Sequence, residues 1–176
     1  MDPMIRTLFA LGVLLIPGAA PLAAQGLDDP AIAHIAVTAN QLDVVGAEQA
    51  LERSSNARVR AFAETMIRDH NGVIQQAAAL AERLGVTPRD NETSQGLAAR
   101  AEEVREQLAG LSGAAFDRAY MDNEVAFHET VIGAVEGTLV PNASNDELKG
   151  LLEAVVPALR AHLDPARRLS AELATR

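Results

Sequence analysis

From Pro30 to Leu173 apolar residues return at three- and four-residue steps, interrupted only by short polar stretches, and nowhere do they alternate in the two-residue period of a half-buried strand. That rhythm commits the chain to helices and predicts five. Asp29 followed by Pro30 reads as an N-cap and first-turn pair. Ile32, Ile35, Ala39, Leu42, Gly46 and Ala50 then mark one face of a helix from about Pro30 to Arg53. Asn56 caps the second, whose Val59, Phe62, Met66, His70, Val73, Ala77, Leu80 and Leu84 hold a heptad-like beat up to Gly85. A third helix, about Glu92 to Ala109, is short and charged and is expected to be accessory. After a candidate cap at Ser112, the fourth runs from about Gly113 to Thr138, with Phe116, Tyr120, Phe127 and Val131 on its apolar side, and LVPNAS is expected to stop it. Ser144 and Glu147 have capping-box spacing for the fifth, which carries Leu148, Leu152, Val155, Leu159, His162, Ala166, Leu169 and Leu173. Pro157 and Pro165 fall inside this last helix and are expected to kink it. The economical architecture is all-α: an antiparallel four-helix bundle with one additional helix packed at its side.

Ahead of the bundle, Arg6 precedes the apolar run LFALGVLLIPGAA and the small residues of PLAAQG, the order of an export signal. The run falls short of the ~20 residues a spanning helix needs. Residues 1–24 therefore read as a cleaved signal and residues 25–176 as one domain, periplasmic or secreted. The chain of 176 residues has 15 basic against 24 acidic side chains, a net charge of -9 that repels nucleic-acid phosphates. It contains no Cys, which removes disulfides, thiolate catalysis and Cys-ligated zinc or iron–sulfur sites. No Ser lies in a Gly-x-Ser-x-Gly setting, so nucleophilic catalysis has no support either.

What remains is polar chemistry on the inward faces. His70 and His162 each replace an aliphatic residue in the buried series of a helix. His128 stands at the edge of its stripe with Glu124 one turn before it, and His34 points away toward solvent. Asp43, His70, Glu124, His128 and His162 all lie within about three residues of the midpoint of their predicted helices, or roughly 4 Å along the axis. Antiparallel helices aligned end to end would gather them in one mid-bundle layer, the route by which metal sites are built in helical bundles. Neutral imidazoles with one or two carboxylates suit Zn, Cu, Fe or Mn without singling one out. Met66, one turn before His70, is a further soft donor, although a Met at that spacing also serves as plain core. The Glu-x-x-His pairs of a carboxylate-bridged di-iron site are missing, since Glu124 and His128 are spaced one residue wider, and a mononuclear or simpler site is the better metal hypothesis. The alternative is an envelope structural or interaction module without metal, in which imidazoles and carboxylates satisfy one another by hydrogen bonds.

Three stretches carry a family resemblance: SSNARVRAFAETMIRDH from Ser54, LSGAAFDRAYMDNEVAFHETVI from Leu111 and NDELKGLLEAVVPALRAHL from Asn145. With the ANQ-x-D segment that ends at Asp43, they resemble the secreted bacterial proteins of DUF4142, often labelled outer membrane proteins. The resemblance implies a ferritin-like bundle exported to the envelope, with His70, His128 and His162 on the family's recurrent His positions, and it supplies no reaction. One departure is visible. Relatives commonly read His-Leu-Glu-His-Ala where this chain has His162, Leu163, Asp164, Pro165 and Ala166, so a second His is lost at Pro165.

Overall fold

The computed structural model describes residues 27–175, and the expected export signal over residues 1–24 lies outside the described residues. Five long helices follow one another: α1 Asp29–Arg53, α2 Ala57–Leu84, α3 Glu92–Ala109, α4 Gly113–Ala134 and α5 Asp146–Ala174. The described residues contain no strand. The result is the antiparallel four-helix bundle with one additional helix that the periodicity predicts, in keeping with the ferritin-like bundle that the family resemblance implies. Helices α1 and α2 form one tightly packed pair and α4 and α5 the other, and α3 leans against α1 and α4. Among α3 residues only Ser94 and Leu108 are buried. The helix is tied down from outside, where Gln49 Nε2 donates to the Arg105 carbonyl at 3.0 Å and Arg53 to the Leu111 carbonyl at 2.9 Å.

The helix ends differ from the sequence reading in instructive ways. The N-cap of α1 is Asp28, whose carboxylate accepts from the Ala31 amide at 3.0 Å, rather than Asp29. Asp29 is freed to accept from the Ser144 and Asn145 amides at 2.8 and 3.0 Å, so it pins the start of α5 to the start of α1. Asn145, not Ser144, caps α5 by accepting from the Glu147 and Leu148 amides. Ser112 occupies the cap position of α4 without a side-chain hydrogen bond. The helical run ends within LVPNAS as expected, but at Asn142 rather than Thr138. The helix passes into a π-helical turn, Val135–Leu139, and a last helical turn, Val140–Asn142. Leu139 is buried, so its burial carries the chain past Thr138. Helix α5 continues through Pro157 and Pro165 to Ala174.

The apolar interior comes in separate parts. Toward one end Ala47, Phe62, Met66, Phe116, Tyr120 and Ala166 pack together. Toward the other, Ile32, Ile35, Leu80, Val135, Leu148 and Leu152 do the same. Between these clusters every core helix carries buried polar residues, Asp43 on α1, His70 on α2, Glu124 and His128 on α4, and His162 on α5, beside a small apolar group of Ile132, Leu159 and Leu163. Each of the five is 7% exposed or less. A hydrophobic core interrupted in this way needs its polar layer to be satisfied from within.

Candidate metal centre

The layer brings together all five residues singled out from the sequence. Ring centroids of His70 and His162 lie 5.3 Å apart, those of His128 and His162 5.5 Å, and those of His70 and His128 5.7 Å. One nitrogen from each of the three imidazoles can be chosen so that all lie within 4.8 Å of one another, and Asp43, Glu124 and His128 form a second such group. Asp43 joins the two. One of its oxygens, Oδ2, stands 3.4 Å from His70 Nε2 and 3.8 Å from His128 Nε2. Glu124 lies on the far side, with Oε2 3.6 Å from His128 Nδ1.

Hydrogen bonds from outside the layer fix the protonation of each ring. Asn40, one turn before Asp43, donates its amide to the Ala36 carbonyl at 2.8 Å, which leaves Asn40 Oδ1 to accept from His70 Nδ1 at 2.7 Å. His128 Nδ1 donates to the Glu124 carbonyl at 3.0 Å. His162 Nε2 donates to Asp69 Oδ2 at 3.0 Å. In each ring the nitrogen that faces an acceptor must carry the hydrogen, so the other carries a lone pair. Those other nitrogens, His70 Nε2, His128 Nε2 and His162 Nδ1, are buried and have no hydrogen-bond partner. Both Asp43 oxygens, Glu124 Oε2 and the Tyr120 hydroxyl are buried and unpartnered as well. Fixing one ring nitrogen through an outer partner and presenting the other is the arrangement of metal-ligating imidazoles.

Electrostatics follows from burial. Desolvation pulls the His70 imidazole down to about 3, helped by the neighbouring His128 and His162. His128 falls to about 4 for the same first reason, against the pull of its bond to the Glu124 carbonyl. Burial raises the Asp43 carboxyl to about 7 and lifts Glu124 well above the usual carboxylate range, with Asp43 beside it pushing the same way. Tyr120 is raised by burial and by the Glu124 and Asp43 carboxylates. Asp69, at the outer edge, is held low by its hydrogen bond to Arg68 and then by His162, so it remains an ionised acceptor for the His162 ring. At neutral pH burial thus keeps the His70 and His128 rings uncharged and Glu124 protonated, while Asp43 is near the middle of its titration.

The structure refines the sequence reading at several points. His128 is not at the edge of its stripe: it is fully buried, and the inward line of α4 runs Phe116, Tyr120, Glu124, His128 and Ile132. Phe127 and Val131, taken as the apolar face, are only part-buried. His34 stands apart from the layer on a half-buried site 3.7 Å from Asp90. Met66 packs in the apolar cluster with Phe62 and Tyr120. Sequence reasoning missed Asn40 and Asp69. The signal for Asn40 was its place one turn before Asp43, whereas nothing local marks Asp69, whose partner is 93 residues away.

The sequence profile described as Domain of unknown function (DUF4142) matches residues 16–169. No curated protein matches the chain. Two solved structures share its fold. One is a Streptomyces coelicolor protein designated a secreted DUF305 protein, at 14% identity and a TM-score of 0.69, covering 86% of this chain and 96% of that one. The other is CopM in its Cu(II)-bound form, at 14% identity and a TM-score of 0.62, covering 84% of this chain and 99% of that one.

Proposed function

The chain belongs to the DUF4142 family, and we propose that this member is an exported bundle that binds one transition-metal ion in its mid-bundle layer. The ligands are His70, His128, His162 and Asp43, with Glu124 against His128 as a reserve carboxylate. The observation that carries the reading is the set of three buried ring nitrogens left without partners while the opposite nitrogen of each ring is held by Asn40, the Glu124 carbonyl or Asp69. A buried polar group left unsatisfied costs on the order of 1–3 kcal/mol, and a purely structural core would avoid that cost with aliphatic side chains. Three imidazoles and a carboxylate suit borderline ions, Cu(II) and Zn(II) before Fe or Mn. The Cu(II)-bound neighbour makes copper the first ion to test. Among the described residues no helix is long and apolar enough to cross a membrane. The N-terminal apolar run and the neighbour designated as secreted support an envelope or extracellular setting.

The test is calorimetric titration of the metal-free protein with Cu(II), Zn(II), Mn(II) and Fe(II), with elemental analysis of the loaded form. One ion per chain is expected. His70→Ala, His128→Ala and His162→Ala should each weaken binding by about tenfold or more, while His34→Ala leaves it unchanged. Equal losses from all four variants would mean loose surface chelation. No binding by the unmodified protein would leave a structural or interaction module without metal.

A further inference from the structure

A pocket of about 340 Å³ lies between α1, α3 and α4, and every residue that lines it belongs to one of these three helices. Its buried polar walls are Asp43, Glu124 and Tyr120, and no histidine lines it. A separate cavity of about 200 Å³ among the four core helices is lined by His70, His128 and His162 but by neither Asp43 nor Glu124. The layer therefore has a carboxylate side under α3 and an imidazole side away from it.

We propose that the metal ion reaches the layer from the α3 side, with Glu124 as the first protein ligand it meets and α3 as the cover that swings aside to admit it. The inference rests on the metal reading and adds the route of loading. The free nitrogens of His70 and His128 both face Asp43 Oδ2, at 3.4 and 3.8 Å, so the seat of the ion adjoins a wall of the α3 pocket. The other cavity offers a poorer approach. A hydrated divalent ion gives up water only to other oxygen or nitrogen donors, and Val73, Ala77, Leu152 and Val155 supply none. Asp69, the acid beside the rings there, is engaged by Arg68 and His162. On the α3 side Glu124 is such a donor. Its Oε2 is buried without a partner, and His128 Nδ1, 3.6 Å away, gives its hydrogen to the Glu124 carbonyl instead, so the carboxylate has no hydrogen-bonding duty in the layer. Both guanidinium groups of the pocket lining are paired, Arg100 with Glu103 and Arg105 with Glu102, each at 2.8 Å, which lessens their opposition to a cation. Asp43 and Glu124 are 3% and 2% exposed, so an ion with its water needs α3 displaced. That helix buries only Ser94 and Leu108 and is fastened by exposed hydrogen bonds from Gln49 and Arg53. A segment held in this way opens at lower cost than the core helices.

The experiment follows Cu(II) loading of the metal-free full chain by stopped-flow fluorescence. Tyr120 is the sole Tyr, Trp is absent, and Tyr120 lines the pocket, so its quenching reports arrival at the layer. Because the chain has no Cys, Gln49→Cys with Arg105→Cys can be joined by a short bismaleimide that holds α3 against α1. The linked protein should load about tenfold more slowly, or worse, than the same double variant unlinked. Its affinity after full equilibration should be equal, because neither position is a ligand. Leu108→Ala removes a buried anchor of α3 and should speed loading by about threefold or more at the same affinity. Ala77→Phe, in the other cavity, should leave the rate unchanged. An unaltered helical circular dichroism spectrum is the condition for using each variant. Equal rates with and without the link, no gain from Leu108→Ala, or slowing by Ala77→Phe each overturns the route. Glu124→Gln should slow loading, and a rate equal to that of the unmodified chain overturns the part given to Glu124. Absence of Cu(II) binding by the unmodified chain at equilibrium strikes the metal function itself and the route with it, whereas full affinity with a rate indifferent to the link strikes the route alone.

Discussion

Asp43 sits with both oxygens buried and unpartnered, and burial lifts its carboxyl from 3.8 in the unfolded chain to about 7. Between those values the folded protein keeps a proton that the unfolded chain has lost, so Asp43's share of stability is present below about pH 4 and is lost as pH rises to about 7. His70 and His128 act in the opposite sense, because their folded values of about 3 and about 4 lie below 6.5 and they disfavour folding as pH falls through that window. Asp43→Asn removes only the first effect. In urea unfolding of metal-free protein the variant should match the parent near pH 4, gain on it by a few kcal/mol by pH 7, and hold that lead above. A constant difference across the range would show that Asp43 is not shifted by burial. The same residue governs proton traffic on metal binding. Since His70 and His128 are already neutral near pH 6, protons released on loading come from Asp43 and Glu124. Calorimetry in buffers of different ionisation enthalpy at pH 6 should show about one proton or more released per ion, and less from Asp43→Asn. The layer itself was legible in the sequence because its residues replace aliphatic ones at mid-helix. The outer partners Asn40 and Asp69 were not, since their roles depend on contacts across 30 and 93 residues that periodicity does not encode.

At the level of helices, local rules and tertiary burial can be separated by glycine. Gly150 lies in the exposed first turns of α5, and nothing stands within 4 Å of where its Cβ would be. Gly85 ends α2 at φ +63, where a side chain is strained whatever the space. Gly150→Ala should therefore stabilise by about 0.5–1 kcal/mol through reduced freedom of the unfolded chain. Gly85→Ala should destabilise by about 1–2 kcal/mol. Thermal unfolding of both variants checks the pair, and a gain at Gly85 would mean that α2 does not end in the left-handed region. Helix existence and order were readable from the three- and four-residue beat and from Asn56 and Gly85 at the ends of α2. The last turns of α4 were not. There the inward line steps from Ile132 to Val135 and Leu139 through a π-helical turn, and the demand to bury Leu139 carries the helical run past Thr138 before it stops at Asn142. In α5, burial of Leu159, His162, Ala166 and Leu169 continues the helix through two prolines.

Across the whole molecule, the layer takes one or more donors from each of α1, α2, α4 and α5 and none from α3. A bound ion would thus join both helix pairs at mid-height, where the apolar core is interrupted, and would leave the outer helix untouched. Binding to the folded state alone stabilises it by about 2.7 kcal/mol when free metal is 100 times the dissociation constant. That stabilisation is distributed by connectivity. Amide hydrogen exchange should slow on loading around Asp43, His70, Glu124, His128 and His162, together with the turns on either side of each, because opening any of the four core helices then requires releasing the ion. Helix α3, held by Gln49, Arg53 and a capping box at Asn91 and Ser94, opens without disturbing the layer, so its exchange should change least. Uniform slowing that includes α3 would show that the five helices open as one unit. Slowing confined to the neighbourhood of His34 and Asp90 would move the ion to the surface pair and away from the layer.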